Sequence, residues 1–425
     1  MAHSRTPFVP CTAYNSYQET MTQLVIVGGG HAAAQLCASL LEKKFDGKII
    51  LVTDEPHVPY HRPPLSKTLL KDDAAVLPEL RNAAFYEQGA IEMRLATHVL
   101  RIDRAAKTLR LSGPDGESDL AYDHLVLATG ATPREIPHAP DGTANIFYLR
   151  TYAHAVALRD ALAQANRVFV LGGGFIGLEV AASARQLGKE VTVFETQPRL
   201  LARAVSPEIS DHLTNVHRGN GIDLRLGAAI DEVLVEQGKF AGIKVDGELL
   251  QADLLVVGIG AIPRTALAKQ AGLEVDDGIV VDHHMLTADP SISAIGDCAT
   301  FPHPSSPAPM RLESVQNAND QAKTVAARLC GDAQAYVSVP WFWSDQGEAR
   351  LQITGIWRPG YTSVRRAAAK GNGFSLLHFG GEQFRSIESI NSPVDQMGGR
   401  KLLQGGLSPD PVTVGDVAVP LKAKA

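Results

Sequence analysis

The sequence predicts an α/β chain that uses one strand–turn–helix–strand unit twice and closes with a separate α+β segment. Three observations carry that reading. An apolar run, a triple glycine and a helix-like stretch follow one another within residues 23–54, and the same succession returns within 167–195. From about residue 336 onward no third turn of that kind occurs.

Length and composition agree. The 425 residues suggest two to four domains of about 100–200 residues, with ample chain for large cores. Hydrophobic residues at 45% and charged residues at 20% exclude wholesale disorder and fibrous folds. Forty basic against 46 acidic side chains give a net charge of −6, which argues against a nucleic-acid binder or an anionic-membrane binder. Cys11, Cys37, Cys298 and Cys330 form no CxxC pair, as expected of a reducing compartment without a zinc ribbon. The histidines form no HExxH set, and no metal is expected.

Residues 1–20 lack the apolar core of a signal peptide. They are expected to be a disordered N-terminal extension, or to lie upstream of a natural start at Met21. The uncharged stretch from Leu24 to Leu41 has Gly28-Gly29-Gly30 at its centre, so it reads as strand, turn and helix and not as a membrane span. A cytoplasmic protein is expected.

The first unit reads QLVIV, GGGHAA, AQLCASLLEKK and KIILVTD; the second reads RVFVL, GGGFIG, LEVAASARQLG and KEVTVFE. This βαβ setting turns a glycine pattern into a dinucleotide fingerprint. Gly28 and Gly172 supply the tight turn, and Gly30 and Gly174 let the backbone approach a pyrophosphate. Ala33 and Gly177 let the helix pack close to its strand. The helix starts, at His31 and Ala32 and at Ile176, offer free N–H groups and a positive dipole end. Asp54 and Glu195, each ending a second strand, can accept hydrogen bonds from ribose hydroxyls. Two such sites imply a tightly held flavin and an exchanging nicotinamide. Glu195 favours NADH, because a 2′-phosphate would meet a carboxylate, while Arg199 and Arg203 work against that preference.

Further strings follow in order: Tyr60-His61-Arg62-Pro63-Pro64-Leu65-Ser66-Lys67, Leu125-Val126-Leu127-Ala128-Thr129-Gly130 and Val257-Gly258-Ile259-Gly260. Then come Ala294-Ile295-Gly296-Asp297, Glu313-Ser314-Val315-Gln316-Asn317-Ala318 and Trp341-Phe342-Trp343-Ser344-Asp345-Gln346. With these strings the chain closely resembles the FAD-dependent ferredoxin reductases of bacterial oxygenase systems, of the putidaredoxin reductase type, from about Thr22 to its last residues. One departure is Gly347-Glu348, where many relatives carry Tyr-Asp.

The resemblance implies a glutathione-reductase-like architecture: an FAD domain from 21–127 and 261–335, an NAD domain from 128–260, and a C-terminal interface domain from 336–425. It implies FAD contacts at Gly28, Gly30, Ala32, Asp54, Arg62, Lys67, Val99, Arg150, Asp297 and Val315. His31, Ala33, Ala128, Thr129, Gly130 and Gly296 stand beside them in the same strings. For NAD the expected set is Gly172, Gly174, Ile176, Gly177, Glu179, Glu195, Arg203, Gly258 and Gly260.

Lys67 is expected beside the reactive flavin nitrogen, held there by Glu179, and Trp343 at the electron exit. Redox-active cysteines are not expected at the flavin, since none lies between Cys37 and Cys298. The acceptor implied is a [2Fe-2S] ferredoxin feeding a cytochrome P450 or a Rieske-type oxygenase. Ferredoxins are usually acidic, so Arg62, Lys71 and Arg311 are candidates for a local basic patch. Two other readings stay open: a stand-alone NADH-dependent flavin oxidoreductase acting on quinones, nitro compounds or oxygen, and a redox sensor resembling apoptosis-inducing factor. A monomer or weak homodimer is expected.

Overall fold

A computed structural model describes residues 22–136 and 142–422. The expected N-terminal extension and Met21 lie outside the described residues.

Two five-stranded parallel sheets form the centre of the molecule. In the first, Gln23–Val27 lies between Lys48–Val52 and His124–Leu127, with Glu92–Arg94 and Ile292–Ala294 at the edges. In the second, Arg167–Leu171 lies between Glu190–Glu195 and Leu254–Val257, with Asp223–Leu226 and Ile146–Tyr148 outermost. The central strand of each sheet is the one that runs into a triple glycine. Parallel strands covered on both faces read as unbroken apolar runs, and LVIV and VFVL are buried throughout.

The chain leaves the first sheet after Leu127 and returns to it at Ile292. The outgoing and returning segments pair antiparallel, Ala131–Pro133 against Ala261–Pro263. On return, the helix Val315–Leu329 packs against the first glycine helix, His31–Glu42. Ser314 caps that returning helix, its hydroxyl accepting the Asn317 N–H at 3.0 Å.

The third sheet is antiparallel, in the order Trp341–Gln346, Ala349–Gly355, Gln383–Ile390, Phe374–Gly380 and Thr362–Ala367, with the helix Pro393–Gln404 against it. Its Leu351, Phe374, Leu376 and Ile390 share one buried cluster with Leu178, Ile209 and Leu213 from helices of the second unit. Leu65 of the PPLSK segment and Leu69 just after it join that cluster. Each such side chain contributes about 1.5–3 kcal/mol when fully buried, so the shared core seats the third sheet on the second nucleotide unit. Among the described residues no helix is long and apolar enough to cross a membrane.

Candidate functional site

The two glycine turns are built alike. Gly28 has φ +124°, and a Cβ there would lie 2.1 Å from the Ala128 carbonyl oxygen. Gly172 has φ +100°, and its Cβ would lie 2.4 Å from the Gly258 oxygen. Only glycine fits at either place. Gly177 brings helix against turn, since a Cβ would meet the Gly172 oxygen at 2.2 Å. Ala33 holds the corresponding place in the first unit and is fully buried. Gly30 differs from these: no atom lies within 4 Å of its missing Cβ, and at Gly174 the nearest is 3.8 Å away. Both precede helices with no side-chain cap, so free N–H groups face open space.

A cavity of about 260 Å³ opens beside the first turn. Gly30, His31, Ala32, Arg62 and Lys67 line one side, and Ala128, Gly130 and Arg150 another. Gly296, Asp297 and Val315 come from the returning segment, Ile176 and Glu179 from the second helix, and Trp343 from the third sheet. A second cavity of about 60 Å³ holds Gly28, Asp54, Val99 and Thr129. Ala33, Gly172, Gly174, Gly177, Glu195, Arg203, Gly258 and Gly260 line neither.

Lys67 and Glu179 form an ion pair at 2.8 Å, with 20% of the lysine side chain and 4% of the glutamate exposed. Glu179 also accepts from the hydroxyls of Ser66 at 2.6 Å and Ser344 at 2.5 Å. Arg150 pairs with Asp297 at 2.8 Å. Trp341 and Trp343 share one face of their strand, as alternation requires, and stack with ring centroids 5.3 Å apart. Arg400 lies over the Trp341 ring.

His31 is buried on the cavity wall with no partner for Nε2. Burial, reinforced by His61 and Arg62, pushes its pKa down to about 4, so the ring is neutral at pH 7. The open Gly30 cradle, the uncapped helix start and this unpartnered nitrogen together fit a dinucleotide pyrophosphate.

Other residues occupy places the sequence did not assign. Arg62 turns inward, pairing with Glu55 at 2.7 Å and donating to the Arg150 carbonyl. Arg311 is likewise enclosed, bonding Glu313 and the Asp297 carbonyl. Neither therefore offers a free charge to an acidic partner, which corrects the expected basic patch; Lys71 is exposed and bonds Gln186. Arg199 is bound to the carbonyls of Ala202 and Val205, while Arg203 is exposed. The Glu195 carboxylate accepts the N–H groups of Gly173 and Gln197, both at 2.7 Å, and so clamps the second turn.

Cys37 and Cys298 are buried, and burial pushes the Cys37 thiol up to about 12, far from a reactive thiolate. Sequence reasoning missed Ser66, Phe175, Arg264, Phe342 and Ser344. Ser66 and Ser344 lie inside strings it quoted; Arg264 bonds Asp54 at 2.8 Å across 210 positions and carries no local signal.

Residues 22–322 match the profile of the pyridine nucleotide-disulphide oxidoreductases, and residues 341–425 that of the reductase C-terminal domain. The chain is 41% identical to rhodocoxin reductase of Rhodococcus erythropolis over 405 residues, covering 94% of this chain and 93% of that one. It is 43% identical to terpredoxin reductase of a Pseudomonas species over 408 residues, covering 94% and 97%. The solved covalent complex of putidaredoxin reductase with putidaredoxin superposes with a TM-score of 0.88 at 38% identity, covering 94% of this chain and 97% of the solved one.

Proposed function

The chain belongs to the pyridine nucleotide-disulphide oxidoreductase family and, within it, to the ferredoxin reductases; from that premise we propose that it passes electrons from NADH through FAD to a [2Fe-2S] ferredoxin. That ferredoxin supplies a cytochrome P450 or Rieske-type oxygenase. The observation that carries the reading is one cavity on which the Lys67–Glu179 ion pair, the Arg150–Asp297 pair and Trp343 converge.

FAD, when bound, supplies what no side chain here can, acceptance of an electron pair and its release one electron at a time. The chain's own residues hold and insulate it. Gly30 and the helix start at His31 and Ala32 receive the pyrophosphate, while Asp297, oriented by Arg150, accepts from ribityl hydroxyls. Asp54, paired with Arg264, faces the adenosine ribose with Val99, Thr129 and Gly28. Lys67 holds a positive charge at the cavity wall, where it favours the negative charge that reduction brings. Glu179 keeps that lysine in place. The turn at Gly172 and Gly174, with Ile176, Gly258 and Gly260, receives NADH, and Glu195 disfavours a 2′-phosphate. Trp343 closes the outer side, and its stack with Trp341 leads toward the surface on which a ferredoxin docks.

The proposed division keeps each five-stranded sheet within one domain: 21–127 with 261–335 for FAD, 128–260 for NAD and 336–425 for docking. A cytoplasmic monomer or weak homodimer fits the reading. Anaerobic titration of the purified protein with NADH tests it. Bleaching of bound flavin by one NADH per chain is expected, as is slower bleaching in Lys67→Ala with FAD retained. Absence of flavin, or flavin that NADH leaves oxidised, overturns the reading.

A further inference from the structure

Glu179 stands at the end of a buried chain of hydrogen bonds that starts far from the cavity. The His217 ring, fully buried in the helix Pro207–Gly219, meets Gln346 Oε1 through Nε2 at 3.1 Å. The Gln346 amide nitrogen donates to the Ser344 hydroxyl at 2.7 Å and reaches the Phe175 carbonyl at 3.4 Å. Ser344 then donates to Glu179 Oε1. Ser344 and Gln346 are fully buried and belong to the third sheet, whereas Glu179 and His217 belong to the second nucleotide unit.

The direction of every proton in this chain is fixed by one group. A backbone carbonyl can only accept, so Phe175 holds the amide nitrogen of Gln346 on its own side and turns Oε1 toward His217. The ring must then donate from Nε2, which leaves Nδ1 bare, and Nδ1 has no partner. Burial lowers the pKa of His217 and keeps the ring neutral in this tautomer. Ser344 receives the amide hydrogen and has one proton left to give, which goes to Glu179. On the other oxygen Glu179 accepts from Lys67 and Ser66. Every hydrogen points at Glu179 and none points away.

We propose that Ser344, oriented by Gln346 and His217, is a positioning residue for the Lys67–Glu179 pair: it holds the Glu179 carboxylate in place against Lys67, so that the docking domain is an integral part of the NADH-oxidising site. This rests on the proposed role of Lys67 and Glu179. It adds a residue outside both nucleotide units and a reason for the buried polar residues Ser344 and Gln346. A hydrogen bond to a charged group is worth more than one between neutral groups, so losing the Ser344 hydroxyl weakens the hold on Glu179 severalfold.

The test uses the FAD-loaded protein and two readouts. Infrared difference spectra of Ser344→Ala against the parent are expected to show a difference band from the shifted carboxylate stretch of Glu179, absent when both proteins also carry Glu179→Gln. The rate constant for flavin bleaching by NADH is expected to fall about tenfold in Ser344→Ala, with Ser344→Thr restoring most of it. Gln346→Leu, which removes the donor behind Ser344, is expected to shift both readouts the same way by less. If Ser344→Ala gives neither the infrared band nor a slower rate, the inference is overturned, and a loss of folding in Ser344→Ala leaves Gln346→Leu to decide on the same criteria. If Glu179→Gln bleaches at the parental rate, the role assigned to the ion pair fails, while the infrared band still judges the hydrogen-bond chain.

Discussion

Phe175 and Phe342 lie with ring centroids 4.5 Å apart, joining the first residue of the second glycine helix to the first strand of the third sheet. Both line the larger cavity. The pair joins the two units at the cavity wall, and an aromatic contact of this kind is worth about 0.5–1.5 kcal/mol. Phe342→Ala is expected to open that wall to solvent and oxygen. NADH-driven oxygen uptake without ferredoxin should rise severalfold, measured with an oxygen electrode, and an unchanged rate would show that the rings do not gate access.

Gly177→Ala places a methyl group 2.2 Å from the Gly172 carbonyl oxygen, a backbone atom that cannot step aside. The helix must lift from its turn, at a cost of about 1–3 kcal/mol. Thermal unfolding should fall accordingly, and NADH affinity should drop more than FAD content. A Gly30→Ala variant meets no protein atom, so its stability should hold while FAD retention falls.

These contrasts show what the sequence made legible. Local strings carried the glycine turns and the acids at or just past the end of each second strand, because each string has a fixed chemical job within a few residues, whereas the pairing of Lys67 with Glu179 came with the family resemblance. The stacked tryptophans followed from alternation in a strand. Arg264 beside Asp54 and Ser344 beside Glu179 depend on how distant segments meet, and neither leaves a local trace. The inward turn of Arg62 has the same origin, since its partners Glu55 and the Arg150 carbonyl become neighbours only after folding.

The Gly173 and Gln197 N–H groups bond different oxygens of Glu195, so Glu195→Gln keeps an acceptor for one of them and loosens the turn by one hydrogen bond. The negative charge facing a 2′-phosphate is gone. Removing a like charge in a solvated setting is worth about 1 kcal/mol, roughly fivefold in the ratio of kcat/KM for NADH over NADPH. Steady-state kinetics with both nucleotides check this, and an unaltered ratio would remove Glu195 from the discrimination.

His31 has its pKa lowered from 6.5 to about 4, chiefly by burial. Between those values the unfolded chain binds the proton and the folded chain does not. The folded state therefore loses stability as pH falls from 6.5 toward 4, by at most about 3 kcal/mol in all. His31→Leu removes this contribution, so urea midpoints at pH 7 and pH 4.5 should lie closer together in the variant than in the parent. An identical difference would place the acid sensitivity elsewhere.

The most direct measurement is NADH-driven reduction of cytochrome c by the purified protein, with and without a panel of [2Fe-2S] ferredoxins. A large rate increase with one ferredoxin is the expected result. No increase with any, alongside rapid reduction of oxygen or quinones, would contradict the electron-transfer role and identify a stand-alone flavin oxidoreductase.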